Sequence, residues 1–284
     1  MADMETSRDV RVGWVSDVHL NFVDSRGVRR FFRELAAQDA DAWLLTGDIA
    51  EARSLARFLQ MFEASLSAKT LFVLGNHDFY GAALKSVRCT TREFVSRSQR
   101  LVWLTDVGPQ QLSSDVAVVG DDGWADGRLG NPLGTPVELA DFFAIEDLAG
   151  LDRRDLVWNL RELGDGAAGR LEPKLRQAAT TSRRVIVLTH VPPFWEASWH
   201  EGHLSDRDWV PWFTCSAVGD VLVACAAAHP EVSFIVLCGH THSSGVCSPA
   251  PNLLVYTAQA EYGTPHIQAV FGLADHVAGW VRSG

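Results

Sequence analysis

Short apolar segments recur along this chain, and most of them are followed, directly or after one glycine, by Asp, His or Asn. We predict strands over seven of these segments, at residues 11–16, 42–46, 70–74, 116–119, 184–189, 233–238 and 253–257. Helical spacing of apolar residues predicts helices over 28–37 and 55–66. Because strands and helices alternate, the sequence favours an α/β fold over an all-β fold.

The length of 284 residues and the hydrophobic content of 47% are sufficient for one large buried core. We therefore predict a single domain over residues 1–284. Two stretches interrupt the alternation of strands and helices. Residues 124–182 are expected to form an insertion packed beside the core, and residues 194–213 an aromatic, polar loop. A loop of that length inside a compact domain often has a functional role.

The formal net charge of −10 argues against a protein that coats nucleic acid non-specifically. The five cysteines form no CxxC pair, which indicates reduced thiols rather than a disulfide framework. The start of the chain lacks the pattern of a signal peptide, and no apolar run reaches the length of a membrane span. We therefore expect a cytoplasmic protein with no membrane partner.

Five of the predicted strands are followed by residue types that bind metal ions. These motifs are Asp17-Val18-His19, Gly47-Asp48, Gly75-Asn76-His77-Asp78, His190 and Gly239-His240-Thr241-His242. The carboxyl ends of sheet strands are where α/β folds build binding sites, so the five motifs are expected to meet. The glycines fit tight turns at which backbone approaches a ligand closely.

The residue types of the motifs indicate the class of metal. Carboxylate, amide oxygen and imidazole suit Mn, Fe, Zn, Co or Ni, and no cysteine lies within the motifs. Asp17 and His19 are two residues apart, as are His240 and His242, and on an extended backbone each pair would point to one side. Asp48 is the natural candidate for a carboxylate that bridges two metals. Each motif alone could be a simple turn, and the order of all five at strand ends carries the prediction.

Taken in order, the five motifs resemble the complete signature of the calcineurin-like metallophosphoesterase superfamily. The resemblance runs from about residue 11 to residue 260 and leaves residues 124–182 outside it. It implies an enzyme that hydrolyses phosphate esters with two metal ions, of which Mn, Fe or Zn are expected first. It also implies a four-layer α/β/β/α sandwich with two mixed β-sheets.

The resemblance assigns roles to individual residues. One metal ion would be held by Asp17, His19, Asp48 and His242. The second would be held by Asp48, Asn76, His190 and His240, so that Asp48 bridges the pair. His77 would donate a proton to the leaving oxygen, and Asp78 would orient the His77 ring. A turn cap is the alternative role for Asp78.

Candidate substrate residues lie in segments that the motifs do not cover. The loop at 194–213 follows His190 closely and supplies Trp195, Trp199, His200 and Arg207. Tyr80, two residues after Asp78, is a further candidate. Aromatic faces can stack on a nucleobase or another flat group, and an Arg can bind a phosphate. The alternative is a loop that buries its own aromatic side chains and leaves Arg207 in solvent.

The leading function is therefore hydrolysis of a small organic phosphate, a monoester or a diester, with a nucleotide as one candidate. The first alternative is a phosphoprotein (Ser/Thr) phosphatase, which would need an open groove rather than an aromatic pocket. A nuclease is disfavoured because the chain has an acidic pI of about 5.4. A non-catalytic scaffold is disfavoured because every motif position is filled. The sequence does not specify an oligomeric state.

Overall fold

The computed structural model describes residues 9–274. Its strands are β1 (Arg11–Val15), β2 (Ala42–Thr46), β3 (Lys69–Val73), β4 (Leu101–Trp103), β5 (Gln110–Gln111), β6 (Val116–Gly120), β7 (Arg184–Leu188), β8 (Trp199–His200), β9 (His203–Leu204), β10 (Ser233–Cys238), β11 (Gly245–Ala250), β12 (Leu253–Thr257) and β13 (Ala269–Gly272). Its α-helices are α1 (Ser25–Ala36), α2 (Ala52–Ser65), α3 (Leu84–Val95), α4 (Asp141–Ala144), α5 (Arg153–Thr181), α6 (Val210–Phe213) and α7 (Ser216–Ala228). Short 3₁₀ turns lie at Leu20–Phe22, Asn76–Phe79, Leu104–Asp106 and Trp195–Ala197.

The strands form two large mixed sheets. The first has the order β13-β1-β2-β3-β4, in which β1 to β4 run parallel and β13 pairs antiparallel with β1. The second has the order β11-β12-β10-β7-β6-β5, with four parallel strands at its centre and antiparallel strands at both edges. The parallel strands are almost fully buried, as their continuous apolar sequences require.

Three apolar layers hold the sheets and helices together. The layer between the two sheets contains Trp14, Leu44, Ile186 and Ile235. A second layer joins the outer face of the first sheet to α1, α2 and α3, and a third joins the second sheet to α5 and α7. The expected four-layer α/β/β/α arrangement of two mixed sheets is confirmed.

Local sequence explains how the outer helices begin and which face they bury. Asp24 accepts a hydrogen bond of 2.6 Å from the Gly27 amide and so caps the start of α1. Within α1, Val28, Phe31, Phe32 and Leu35 recur at helical spacing and are buried against the first sheet. The helix therefore covers the sheet with one apolar face.

All seven predicted strands are present, but several others escaped the prediction. Four of the unpredicted strands, β4, β5, β11 and β13, lie at sheet edges, and the other two, β8 and β9, have two residues each and pair with each other. Strand β11 contains Pro249 and is largely exposed, so its apolar pattern is weak. Edge strands are fixed by pairing with a neighbour, which a local pattern does not reveal.

Residues 124–182 contain the short helix α4 and the long helix α5. Helix α5 packs against α7, β6 and β7, and thus supplies much of the helical layer on the second sheet. Its start is capped by Asp152, which accepts hydrogen bonds from the amides of Arg154 and Asp155. The single domain with an insertion stays a prediction, although α5 is part of the layered core.

Candidate metal centre

The loops after β1, β2 and β10 bring one group of predicted ligands together. Ligand atoms of Asp17, His19, Asp48 and His242 all lie within 4.8 Å of one another, and the four residues are mostly buried. Nε2 of His19 lies 3.1 Å from Nε2 of His242, and Nε2 of His242 lies 3.5 Å from a carboxylate oxygen of Asp17. This set is the one expected to hold the first metal ion.

The remaining predicted ligands form a second group beside the first. The side-chain oxygen of Asn76 lies 2.9 Å from Nε2 of His190 and 3.0 Å from Nδ1 of His240. These three residues follow β3, β7 and β10, so they come from both sheets. The structure therefore brings all seven predicted ligands to one edge of the sandwich.

Asp48 lies between the two groups. Its Oδ2 is 3.6 Å from Nε2 of His19, whereas its Oδ1 is 3.4 Å from Nε2 of His190. The backbone amide of His77 donates a 2.9 Å hydrogen bond to Oδ1 and fixes the carboxylate in this orientation. Each oxygen thus faces a different group, as a bridging carboxylate would require.

The backbone of the site is left-handed rather than extended. The φ angles are 48° at Asp17, 38° at His19, 51° at Asp48, 72° at His240 and 61° at His242. The expectation that extended backbone aligns the paired ligands is therefore wrong, because β1 ends at Val15 and β10 at Cys238. Left-handed residues other than glycine cost free energy, and such strain is typical of functional sites.

Two glycines leave room for the buried carboxylates. A Cβ atom at Gly75 would collide with Oδ1 of Asp48, and one at Gly239 would collide with Oδ2 of Asp17. The predicted role of these glycines, close approach of backbone to the site, is confirmed.

Hydrogen bonds to backbone carbonyls fix which ring nitrogens of His190 and His240 point towards Asn76. Nδ1 of His190 lies 2.8 Å from the Thr46 carbonyl, and Nε2 of His240 lies 3.0 Å from the Trp212 carbonyl. A carbonyl only accepts, so these nitrogens carry the hydrogens. The lone pairs of the opposite nitrogens then converge on the Asn76 oxygen, which is an arrangement suited to a cation.

The buried charges of the site also fit metal ions. Asp17 and Asp48 are almost completely buried, and within residues 9–274 neither carboxylate pairs with Lys or Arg. Buried carboxylates require compensation by a partner charge or a metal. Carboxylate, imidazole and amide oxygen together suit Mn, Fe or Zn. The donor set and its burial therefore fit a two-metal centre.

Charge and burial shift the pKa values of these groups in opposite directions. Burial disfavours the charged form of His190, but Asp48, Asp17 and the Thr46 carbonyl together outweigh it and raise the pKa of His190 to about 10. Burial lowers the pKa of His240 to about 4, with a further contribution from His190. Without metal, a proton on His190 thus occupies the position at which a cation would neutralise Asp48.

His77 faces the site, but Asp78 does not orient its ring. Asp78 accepts hydrogen bonds from the backbone amides of Ile49, Ala50 and Gly75, at 3.0, 2.9 and 2.8 Å. Nδ1 of His77 is buried and has no hydrogen-bond partner among the described residues. The expected pairing of Asp78 with the His77 ring is therefore wrong. Asp78 instead ties the loop after β2 to the turn after β3.

Four of the predicted ligands, Asp48, Asn76, His240 and His242, line a cavity of about 280 Å³. Of the residues predicted to bind substrate, Tyr80 and His200 lie in its wall. Tyr80 stacks on the His77 ring with centroids 4.2 Å apart, and His200 packs against Trp209 and Phe213. Their contact with substrate stays a prediction.

Trp195, Trp199 and Arg207 do not line the cavity, and their contact with substrate stays a prediction. The Trp195 indole donates to the Ser205 carbonyl at 2.6 Å, and the Trp199 indole donates to the Glu196 carbonyl at 3.1 Å. Arg207 is exposed. Both indoles thus form hydrogen bonds within the loop at 194–213, which agrees with the alternative that the loop packs its own aromatic side chains.

A family model described as calcineurin-like phosphoesterase matches residues 10–244. The chain belongs to the calcineurin-like phosphoesterase family. It is therefore an enzyme that hydrolyses phosphate esters, and its family uses a dinuclear metal centre. No curated protein sequence matches the chain significantly.

Solved structures with the same fold include two enzymes with related activities. A phosphopantetheinyl hydrolase from Mycobacterium tuberculosis superposes with a TM-score of 0.65 at 12% identity, covering 90% of each chain. A dimetal phosphatase from Danio rerio superposes with a TM-score of 0.59 at 16% identity, covering 93% of this chain and 92% of that one. At such low sequence identity, these similarities show only that the fold is shared.

The cavity of this phosphoesterase contains residues that no sequence motif indicated. Tyr262 packs on His19 with ring centroids 4.4 Å apart, and its hydroxyl lies 3.3 Å from Nε2 of His77. Asp141 and Phe213 also line the cavity. The sequence offered one signal for Tyr262: it lies shortly after β12, and the ends of other strands supply the metal ligands.

The helices of this phosphoesterase do not meet the requirements of a membrane span within the described part of the chain. Within residues 9–274, none combines the length and the apolar character that crossing a bilayer requires.

Proposed function

We propose that this phosphoesterase hydrolyses small organic phosphate esters at a dinuclear centre bridged by Asp48. The orientation of Asp48 carries the proposal, because its two oxygens face His19 and His190 separately. The first ion would be held by Asp17, His19, Asp48 and His242. The second would be held by Asp48, Asn76, His190 and His240. Mn, Fe or Zn suits these donors.

Two ions held there would bind phosphoryl oxygens and lower the pKa of a water molecule. The chain's own residues would act on the leaving group. His77 presents Nε2 beside Asp48, at 4.0 Å from its Oδ2, and to the Tyr262 hydroxyl at 3.3 Å. From this position a protonated His77 would donate to the leaving oxygen. Burial, together with the charge of Asp48, raises the pKa of Tyr262, so its hydroxyl stays a donor at neutral pH.

The cavity favours a compact substrate. Its volume of about 280 Å³ is near the lower end of the range for small-molecule sites. Tyr80, Phe213 and Tyr262 supply aromatic surface for the organic part of an ester. Asp141 adds a carboxylate to the same wall, which would repel a second phosphate group. We therefore propose a substrate with one phosphate and a small, uncharged or cationic organic group.

The test is turnover by metal-free protein titrated with Mn, Fe and Zn, using bis-p-nitrophenyl phosphate, p-nitrophenyl phosphate and a phosphoserine peptide. We expect metal-dependent hydrolysis of one small ester, and none by Asp48→Asn, which weakens the bridge. Adenosine monophosphate should be a better substrate than adenosine diphosphate if Asp141 repels additional phosphate. Preferential hydrolysis of the peptide would contradict the proposal and support a phosphoprotein phosphatase.

We also propose a cytoplasmic location. Its support is the free state of all five cysteines, Cys89, Cys215, Cys225, Cys238 and Cys247. Fractionation of the source cells with an antibody against the chain would test it, and recovery outside the cytoplasm would contradict it.

A further inference from the structure

The carboxylate of Asp141 holds the amide of Asn76. Oδ1 of Asp141 accepts a 2.7 Å hydrogen bond from Nδ2 of Asn76 and a 2.5 Å hydrogen bond from the Tyr80 hydroxyl. Asp141 is only 7% exposed, so water competes weakly for these bonds. Asp141 lies 65 residues after Asn76 in the chain, within the segment that the family motifs do not cover.

This contact determines which end of the Asn76 side chain faces the histidines. An amide has a donor end and an acceptor end of nearly equal shape, and only the oxygen can bind a cation. Because a carboxylate only accepts, Asp141 selects the orientation in which Nδ2 points to it. The Asn76 oxygen then points to His190 and His240, at 2.9 and 3.0 Å.

Asp141 is itself held in place by backbone contacts. The amide of Gly81 donates to the Ala144 carbonyl at 2.7 Å, and the amide of Glu146 donates to the Ala82 carbonyl at 3.2 Å. These bonds attach α4 to the chain just after the Asn76–Phe79 turn, and they do not involve the Asp141 side chain. The position of α4 should therefore survive replacement of that side chain.

We propose that Asp141 is a positioning residue that sets the affinity of the second metal ion through Asn76. This inference rests on the proposed dinuclear centre. Loss of the carboxylate would free the Asn76 amide to rotate, which would present N–H groups to the cation. Groups that orient metal ligands typically contribute 10–100-fold to affinity. The ion at Asp17, His19 and His242 would be unaffected, because Asp141 makes no hydrogen bond to these residues in the described chain.

The experiment is calorimetric titration of metal-free protein with Mn²⁺. We expect two ions per wild-type chain. For Asp141→Ala we expect one ion at unchanged affinity and the other weakened by about 10–100-fold. Asp141→Asn keeps an acceptor oxygen of similar shape and should lie between the two proteins. Asp147→Asn is the matched control, since Asp147 lies in the same segment but accepts from the Leu84 amide.

A double variant that combines Asp141→Ala with Asn76→Ala distinguishes positioning of Asn76 by Asp141 from a general structural effect. If Asp141 acts through Asn76, adding Asp141→Ala to Asn76→Ala should change the affinity of the second ion by less than about twofold. A full additional loss in the double variant would overturn the proposal. Unchanged affinity of both ions in Asp141→Ala and Asp141→Asn would also overturn it. Fewer than two ions on the wild-type protein would instead overturn the dinuclear centre, and with it this inference.

Discussion

The hydroxyl of Tyr262 lies 3.3 Å from Nε2 of His77, although 185 residues separate them in the sequence. The Tyr262 ring also packs on Phe22, which is 51% exposed, with centroids 5.1 Å apart. These contacts place a donor hydroxyl and an aromatic face at the edge of the cavity, next to the proposed proton donor.

Removal of the Tyr262 hydroxyl should weaken catalysis with little effect on the fold. In Tyr262→Phe the ring contacts remain, and one hydrogen bond worth about 0.5–1.5 kcal/mol is lost. We expect kcat/KM to fall by roughly 2–10-fold with the best small ester. Steady-state kinetics beside Tyr256→Phe, a tyrosine outside the cavity, would check this. Equal kinetics for wild type and Tyr262→Phe would mean that the hydroxyl has no catalytic role.

Replacement of His77 should affect poor leaving groups most. His77→Asn removes the proposed proton donor, a contribution typically of about 10²–10⁴-fold. An alkyl phosphate needs that proton, whereas p-nitrophenolate leaves readily without it. We therefore expect a large loss of kcat for alkyl esters and a smaller one for p-nitrophenyl esters, with two Mn²⁺ ions still bound. An equal loss on both ester types would rule out the donor role.

Asp78 should matter for stability rather than for proton transfer. Its carboxylate accepts from three buried amides, so Asp78→Ala would leave these groups unsatisfied. We expect a loss of about 3 kcal/mol in the free energy of unfolding. Urea denaturation would measure it, with Asp78→Asn as a partial replacement. The leaving-group dependence of any folded Asp78→Asn protein should match that of wild type. A dependence like that of His77→Asn would instead restore Asp78 as the partner of the ring.

His200 and Trp195 should behave differently although they lie in one loop. His200 lines the cavity, whereas the Trp195 indole bonds to the Ser205 carbonyl inside the loop. We expect His200→Ala to raise KM by several-fold, since a few tens of Å² of contact are worth about 1 kcal/mol. For Trp195→Phe we expect an unchanged KM and a lower Tm. A raised KM for Trp195→Phe with His200→Ala unaffected would reverse the two assignments.

The metal-free protein should lose stability as pH rises. The pKa of His190 is raised from its ordinary value of 6.5 to about 10 in the folded protein, because Asp48, Asp17 and the Thr46 carbonyl together outweigh the effect of burial. Its contribution to stability is therefore complete below pH 6.5 and is lost as pH rises towards 10. Added Mn²⁺ should remove this loss, because bound metal replaces the proton. Thermal unfolding with and without chelator would measure this loss of stability. A Tm of the metal-free protein that rises as pH increases from 6.5 towards 10 would contradict the prediction.

The strand and helix pattern predicted an α/β fold and the assembly of the seven ligands, and the family resemblance predicted the two sheets. Each ligand follows a strong apolar strand, so its position depends on patterns that are local. The contacts of Tyr262 and Asp141 depend on tertiary packing between distant segments, and no periodicity reports them. The sequence did not distinguish two roles for Trp195 and Trp199 either. A tryptophan can stack on a ligand or form a hydrogen bond within its own loop.

The proposed centre joins the two sheets, since Asp48 and Asn76 follow strands of the first sheet while His190 and His240 follow strands of the second. The 2.8 Å contact between His190 and the Thr46 carbonyl crosses the same boundary. Lateral sliding of one sheet over the other would therefore change the distances between ligands directly. Side chains that set this alignment, such as Trp14 in the inter-sheet layer, act as spacers for a site that they do not touch. Metal affinity should thus report on the packing of the deepest part of the protein.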